Sequence, residues 1–175
     1  MTLIPQQPKL VISELIPSMG YFPNNEHYPF LVYKEVFHFT DESPQLIQRF
    51  LKKNHWINSW VDTIYPMHHY HSNTHETLVV HKGNCLVQIG GLDGNTHQIE
   101  AGDVIIFPAG VAHKNLKSSA DFQCIGAYPE DINYDMNYGT AQEHPQVDKN
   151  IKQVNLPASD PVFGPKGLLF NFWNN

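Results

Sequence analysis

A chain of 175 residues and 20.0 kDa has room for one domain around one hydrophobic core. Its 17 acidic and 11 basic side chains give a formal charge of −6, which excludes the basic surface that nucleic-acid binding requires. Arg49 is the only arginine in the sequence, which argues against a site that grips a phosphate or carboxylate group with a guanidinium fork.

Three features of the sequence predict a cytoplasmic protein without membrane contact. No run of about 18 apolar residues is present, so no membrane-spanning helix is expected. The N-terminal stretch MTLIPQQPKLVISELIP has neither the basic region nor the small-residue cleavage site of a signal peptide. Cys85 and Cys124 both lie in apolar, strand-like runs, and we expect them to be buried and reduced.

The N-terminal third of the chain predicts two strands and one helix. Apolar and polar residues alternate from Leu10 to Ile16, and a second run rich in aromatic and branched side chains covers residues 30–39. Ser43 has the character of a helix N-cap, Pro44 suits the first helical position, and apolar residues follow at helical spacing. The helix should end near Asn54 and cover one side of a sheet.

From Trp56 onward the sequence predicts short strands without intervening helices. The candidates are separated by Gly, Pro and Asn turns, and IGGLDGNTH predicts a hairpin with Asp93-Gly94 as its turn. Strands at this spacing are typical of a sandwich or barrel. After Pro129 the sequence is loop-like, although the final GLLFNFW is apolar enough to dock on the core. The predicted fold class is therefore an all-β double sheet with one short helix.

Histidines cluster in the middle of the chain. In an extended strand, His69 and His71 would project their imidazoles from one face, because residues two apart share a face. Glu76 follows the turn-prone Ser-Asn-Thr segment and can return a carboxylate to the two imidazoles. Five of the 11 histidines fall within 14 residues: His68, His69, His71, His75 and His81.

A second element predicts a further imidazole at the same place. The apolar strand after Gly102 runs into the turn Pro108-Ala-Gly110, and His113 follows three residues later. Proline fixes one turn position and glycine permits a positive φ at another, so the chain can reverse tightly there. Three imidazoles and one carboxylate would then converge. That ligand set suits Fe, Mn, Co, Ni, Cu or Zn, and suits Ca or Mg poorly.

These two elements resemble the paired motifs of the cupin superfamily. The first motif is His69-x-His71, four residues, Glu76, six residues and Gly83. The second motif is Gly102, five residues, Pro108-x-Gly110, two residues and His113. The motifs and their surroundings cover about residues 60–128. Beyond them, HHYHSNTHETLVVHKGNCLVQIGG, DFQCIGAYPE and SDPVFG resemble the bacterial YjlB-like single-domain cupins over most of the chain.

The resemblance implies a double-stranded β-helix, that is, a jelly-roll barrel. One domain would span 1–175, with the barrel core at about 56–128, N-terminal strands and helix at 8–55, and a loop-rich C-terminal extension at 129–175. The resemblance implies the metal ligands His69, His71, Glu76 and His113. His68 should point away from His69. His75 is the competing ligand, although strand alternation directs it away from Glu76.

The leading functional hypothesis is a metal-dependent enzyme that acts on a small organic molecule, as a dioxygenase or an isomerase. A non-catalytic module that binds a metal or a small ligand, and a purely structural barrel, are the alternatives. The scarcity of arginine favours a neutral, aromatic or polyol-like substrate over an anionic one. Because cupins commonly pair through their sheets, the resemblance also allows a homodimer, for which the segment Leu10 to Ile16 could supply the contact. The expected substrate-lining residues are Tyr65, Met67, Phe107, Phe122 and Tyr128.

Overall fold

Two antiparallel sheets make up most of the fold. The computed structural model describes residues 3–40, 43–129 and 131–173. Within these ranges the strands are β1 (Leu10–Ile16), β2 (Asn25–Lys34), β3 (Ile57–Asp62), β4 (Glu76–Lys82), β5 (Asn84–Ile89), β6 (Thr96–Glu100), β7 (Val104–Phe107), β8 (His113–Ser118) and β9 (Gln123–Tyr128). The helices are α1 (Pro44–Lys53), α2 (Gln146–Gln153) and α3 (Leu169–Trp173), with a short 3-10 turn at Ala141–Glu143.

The topology confirms the expected jelly-roll class. The larger sheet has the strand order β1-β2-β7-β4-β9-β3, and the smaller sheet has the order β6-β5-β8. The two sheets stay separate and do not close into one continuous barrel. Strand β4 lies inside the larger sheet between β7 and β9, and all of its residues except Lys82 are buried. The strand is therefore covered on both faces, and its buried residues include the polar side chains of Glu76, Thr77 and His81. Among the described residues, no helix is long and apolar enough to cross a membrane.

Helix α1 forms where the sequence predicts it. Ser43 has the extended backbone of an N-cap, Pro44 is the first helical residue, and Asn54 is the C-cap. Ile47 and Leu51 are fully buried and pack with Trp56 in the core cluster on the outer side of the larger sheet. The helix therefore covers the sheet as its apolar spacing indicates.

Two of the predicted elements are wrong in their boundaries. The strand expected over residues 30–39 is β2, which begins earlier, at Asn25, and ends at Lys34. It stops because Glu35 adopts a φ of 56° and its backbone N–H donates to Asp103 Oδ1 at 2.9 Å, outside the strand ladder. The β5–β6 hairpin exists, but its turn is centred on Leu92-Asp93, since the N–H of Gly94 donates to the carbonyl of Gly91 at 3.1 Å.

The C-terminal region is more ordered than the loop-like prediction, which is wrong for α2 and α3. Both helices are short, and α2 is mostly polar, so packing stabilises them more than their sequence does. The apolar end of the chain does dock on the core as predicted, with Leu169 and Trp173 buried. Asp160 anchors this region: its carboxylate is fully buried and accepts hydrogen bonds from four donors. The donors are Tyr33 Oη and the backbone N–H groups of Val162, Phe163 and Leu169.

The turn before β8 forms as the sequence predicts. The N–H of Val111 donates to the carbonyl of Pro108 at 3.1 Å, and Gly110 has a φ of 91°. A Cβ at Gly110 would lie 2.4 Å from the carbonyl oxygen of Asn24, so both conformation and space require glycine. The turn thereby directs the chain into His113, the first residue of β8.

Replacing Gly110 with alanine should lower the free energy of unfolding by about 2–3 kcal/mol, because a strained φ and a backbone clash add. Gly20→Ala is the matched control: Gly20 has a φ of 57°, but no atom lies within 4 Å of its Cβ position. That control should lose only about 1 kcal/mol. Urea unfolding of both variants measures the difference, and equal losses would contradict the role of close packing at this turn.

Candidate metal centre

The four residues expected at the site lie where the two sheets meet. Glu76 is the first residue of β4 in the larger sheet, and His113 is the first residue of β8 in the smaller one. A backbone bridge joins His113 to His69, with hydrogen bonds of 3.0 and 3.2 Å. His71 follows two residues later on the same face. All four side chains are buried, each with 6% or less of its residue surface exposed.

The imidazoles and the carboxylate face each other. His71 Nε2 lies 3.6 Å from Glu76 Oε2, and His113 Nε2 lies 3.4 Å from the same oxygen. The rings of His69 and His113 are 4.3 Å apart between centroids, and those of His69 and His71 are 6.2 Å apart. The structure thus brings together the residues that the two sequence motifs single out.

Hydrogen bonds at Nδ1 orient all three imidazoles. Each Nδ1 lies at hydrogen-bonding distance from a backbone carbonyl: His69 from Met67 at 3.1 Å, His71 from Asp135 at 2.5 Å and His113 from Val111 at 3.1 Å. A neutral ring that donates through Nδ1 carries its lone pair on Nε2. Histidines that ligate metals are held in this way, because the outer hydrogen bond fixes tautomer and ring orientation.

Glu76 has one satisfied oxygen and one unsatisfied oxygen. Tyr128 Oη donates to Oε1 at 3.2 Å, whereas Oε2, which faces the imidazoles, is buried without a hydrogen-bond partner. Burial opposes ionisation of this carboxyl, but the charge of His71 and the contacts with His113 outweigh it and lower the pKa of Glu76. The centre therefore holds a buried carboxylate oxygen that has no hydrogen-bond partner.

The histidine pKa values follow from the same surroundings. Burial, with a smaller contribution from His113, lowers the pKa of His69 to about 3, so this ring is neutral. Burial also opposes the charged form of His71, but the Glu76 carboxylate outweighs it and raises the pKa of His71. A positive charge placed among these groups would be stabilised by Glu76.

The donor set fits a divalent transition ion. Imidazole nitrogens and one carboxylate oxygen are ligands that Fe, Mn, Co, Ni, Cu and Zn accept, and the unsatisfied Oε2 lies between two of the imidazoles. In the part of the chain that the structure describes, no three such side chains already stand at coordinating separations.

His75 and His68 lie outside this centre. The imidazole of His75 faces the other side of β4, where Nδ1 accepts from the N–H of Ala109 at 2.9 Å and Nε2 donates to the carbonyl of Asn155 at 3.1 Å. Burial lowers the pKa of His75 to about 4, so the ring is neutral. His68 packs against Phe22, with ring centroids 5.4 Å apart, and lies outside the cavity that adjoins the centre.

A cavity of about 180 Å³ opens beside the centre. Of the expected lining residues, Tyr65 and Tyr128 are present, whereas Met67, Phe107 and Phe122 are not, so that expectation is wrong for three positions. Phe107 instead stacks on the His113 ring at 4.0 Å. The cavity is lined by Trp60, Val61, Asp62, Thr63, Ile64, Tyr65, His69, His71, Glu76, Leu78, His113, Tyr128, Tyr134 and Met136.

Sequence reasoning missed the wall of the cavity that Tyr134 and Met136 provide. Both lie in residues 133–137, named here the strap, which were predicted only as loop. The signal was present, because Tyr134 and Met136 are two apart and share a face of extended chain. The polar residue between them, Asp135, accepts hydrogen bonds from Ser72 N and Ser72 Oγ and, through its carbonyl, from His71. No lysine or arginine lines the cavity among the described residues.

Comparison with known proteins identifies the family. The Cupin domain family (Cupin_2) matches residues 61–123. The uncharacterized protein YjlB of Bacillus subtilis (strain 168) is 40% identical over 157 residues, which cover 90% of this chain and 93% of YjlB.

Solved structures of low sequence identity are also similar in part. A DUF861 family protein of Thermotoga maritima has 23% identity and a TM-score of 0.31, over 50% of this chain and 92% of its own. A Bacillus subtilis oxalate decarboxylase has 19% identity and a TM-score of 0.38, over 65% of this chain and 28% of its own. The epimerase RmlC of Legionella pneumophila has 10% identity and a TM-score of 0.39, over 71% and 74% of the two chains. With both motifs in place and YjlB matched over nearly its whole length, the chain belongs to the cupin superfamily, in the family of YjlB.

Proposed function

We propose that this chain binds one divalent transition-metal ion through His69, His71, Glu76 and His113. One observation carries the proposal: Glu76 Oε2 is buried without a hydrogen-bond partner, 3.4 and 3.6 Å from two imidazole nitrogens. A buried, unpartnered carboxylate oxygen is costly, and a cation shared with the imidazoles would remove that cost. The backbone carbonyls that fix all three Nδ1 atoms support the same assignment.

We further propose that the chain is an enzyme for a small organic molecule, as a dioxygenase or an isomerase. The cavity beside the centre reaches the same three histidines and Glu76, so a molecule bound there would meet the proposed ligands. The bound ion would supply Lewis-acid polarisation of a substrate oxygen and, if redox-active, reactivity toward O₂. The protein's own contribution is to bind and orient the molecule between Tyr65, Tyr134 and Trp60 and to exclude bulk water.

The size and lining of the cavity favour an uncharged substrate with one ring or a comparable polyol. Its volume of about 180 Å³ slightly exceeds the roughly 150 Å³ that accommodates benzene in a protein interior. Eight of the 14 lining residues have aromatic or aliphatic side chains, Met136 included. Apart from the histidines and Glu76, whose charge a bound divalent ion would neutralise, Asp62 is the acidic side chain of the described lining, and no lysine or arginine lies there to pair with an anionic substrate. Lys82 and Lys114, the cations nearest the motifs in sequence, are not in the lining.

Metal analysis tests the proposal. Protein purified without a histidine tag should carry, or after treatment with chelator take up, one divalent transition ion per chain, as measured by elemental analysis. Elemental analysis that finds no metal in well-folded protein, together with failure to load Co²⁺, Mn²⁺, Fe²⁺, Ni²⁺ or Zn²⁺, would overturn the metal site and the enzyme together. Metal binding without any effect of small aromatic or polyol molecules on the spectrum of bound Co²⁺ would favour the alternative, a non-catalytic metal-binding module.

A further inference from the structure

The hydroxyl of Tyr128 lies between an indole and the site carboxylate. Trp60 Nε1 is 3.0 Å from Tyr128 Oη, and Tyr128 Oη is 3.2 Å from Glu76 Oε1. An indole N–H can only donate, so the tyrosine oxygen is the acceptor in the first contact. The hydroxyl proton is therefore directed to Glu76 Oε1. In this series of two hydrogen bonds, Trp60 donates to Tyr128 and Tyr128 donates to the Glu76 carboxylate.

The hydrogen bond from Tyr128 makes the surroundings of the two carboxylate oxygens of Glu76 different. Oε1 accepts from the phenol, whereas Oε2 is left facing the Nε2 atoms of His71 and His113. Without the phenol, Oε1 would be a second buried acceptor without a partner, and the carboxylate would be free to rotate about its last bond. The hydrogen bond thus sets which oxygen faces the imidazoles.

Tyr128 is itself held in place. It is the last residue of β9 and pairs with Ile57 of β3, and only 1% of its surface is exposed. Its ring stacks on Tyr134 with centroids 4.5 Å apart and meets the edge of the His71 ring at 5.5 Å. A buried side chain held between two neighbouring rings can fix the direction of a hydrogen bond more firmly than an exposed one.

We propose that Tyr128 is a positioning residue that holds Glu76 so that Oε2 alone is presented to the metal. The inference rests on the proposed metal site and adds to it that Glu76 contributes one oxygen and that a phenol decides which one. Ligating carboxylates are commonly hydrogen-bonded by a neighbouring group, and loss of such a group costs about 10–100-fold in metal affinity.

The test compares Tyr128→Phe with the wild type by titration with Co²⁺. Phenylalanine keeps the ring and its packing and removes only the hydroxyl. We expect an affinity loss of about 10–100-fold and a changed d–d absorption of bound Co²⁺, because the freed Oε1 alters the carboxylate's orientation. A purely structural role would lower thermal stability without changing the spectrum of the Co²⁺ that does bind.

Tyr70→Phe is the matched control. Tyr70 lies between His69 and His71, but its hydroxyl donates to Glu143 at 2.8 Å on the opposite face of the strand. The control therefore also removes a tyrosine hydroxyl that donates to a glutamate, and should leave both the Co²⁺ affinity and the spectrum unchanged. Trp60→Phe is a second route. It keeps the Tyr128 hydroxyl but removes the indole N–H that fixes its direction, and it should shift the spectrum in the same sense but less.

The outcomes separate this inference from the metal site itself. If the wild type does not bind Co²⁺, the proposed function fails and the inference fails with it. If the wild type binds Co²⁺ and Tyr128→Phe shows unchanged affinity and spectrum, the positioning role alone is overturned. Where Tyr128→Phe does not fold, the same result for Trp60→Phe overturns it. Equal changes in the Tyr70→Phe control would also overturn it, since they would reflect a general loss of stability.

Discussion

Replacing His71 with alanine should lower the affinity for Co²⁺ by at least about 100-fold, more than is usual for the loss of a group that only supports a ligand. Two effects add: one imidazole nitrogen is removed, and Glu76 loses a neighbour 3.6 Å from Oε2. The loss of the His71 side chain also removes the hydrogen bond to the Asp135 carbonyl. Isothermal titration with Co²⁺, together with elemental analysis of the variant, measures the effect.

His75→Ala is the control for this prediction and should show the opposite behaviour. His75 is fully buried, and its loss leaves the N–H of Ala109 and the carbonyl of Asn155 without partners. We expect a loss of about 2–4 kcal/mol in the free energy of unfolding, from the cavity and the unsatisfied groups together. Metal stoichiometry in the folded fraction should stay near that of the wild type, because the ring lies on the other face of β4.

The contrast between the two variants is the decisive measurement. Unchanged Co²⁺ affinity in His71→Ala would remove that residue from the proposed ligand set. Loss of metal in folded His75→Ala would show that this ring contributes to the centre despite its position. Either result would contradict the assignment by strand alternation.

Replacing Asp160 with alanine should lower the free energy of unfolding by about 3–5 kcal/mol. The buried carboxylate accepts from the hydroxyl of Tyr33 and from three backbone N–H groups, so its removal leaves four buried donors without an acceptor. These contacts join β2 to the start of α3, whose Trp173 packs on His75 with ring centroids 4.7 Å apart. Chemical denaturation followed by tryptophan fluorescence measures the loss.

Asp148→Ala is the matched control for Asp160→Ala. Asp148 is a half-buried residue whose ion pair with His144 lies near the surface, with the two atoms 2.7 Å apart. Such pairs contribute about 0–1 kcal/mol, so this variant should unfold close to the wild type. A similar stability of the two variants would mean that the C-terminal region contributes little to the core.

The sequence predicts those parts of the fold whose signals are local. Helix α1 is bounded by Ser43 and Asn54 as expected, since a cap, a proline and apolar spacing act within ten residues or so. The turn at Gly110 is likewise readable from Pro108-x-Gly110. Helices α2 and α3 cannot be predicted in this way, because their stability comes from contacts with residues distant in the sequence. An example is the hydrogen bond that Trp173 Nε1 donates to the carbonyl of Pro29.

The candidate site shows the same division. His69 and His71 are two apart and Glu76 begins the next strand, so their meeting follows from strand geometry. The contacts of Tyr128 with Glu76 and of the Asp135 carbonyl with His71 do not, since they join residues that are far apart in the sequence. The opposite orientation of His75 does follow from alternation, even though a turn-like segment precedes it.

The strap has an energetic consequence for the centre. Asp135 fixes the His71 ring through Nδ1, and Asn137 exchanges two backbone hydrogen bonds of 3.0 Å with Tyr70, the residue before His71. Docking of the strap and the proposed ligation through Nε2 would therefore act on one imidazole from its two sides. Such coupling is reciprocal. If the docked strap strengthens metal binding, a bound metal ion stabilises the docked strap by the same free energy. A substitution that loosens residues 133–137 would then lower the affinity for the metal ion although no proposed metal ligand is changed. Conversely, a bound ion would slow amide hydrogen exchange in the strap, which the ion itself does not contact.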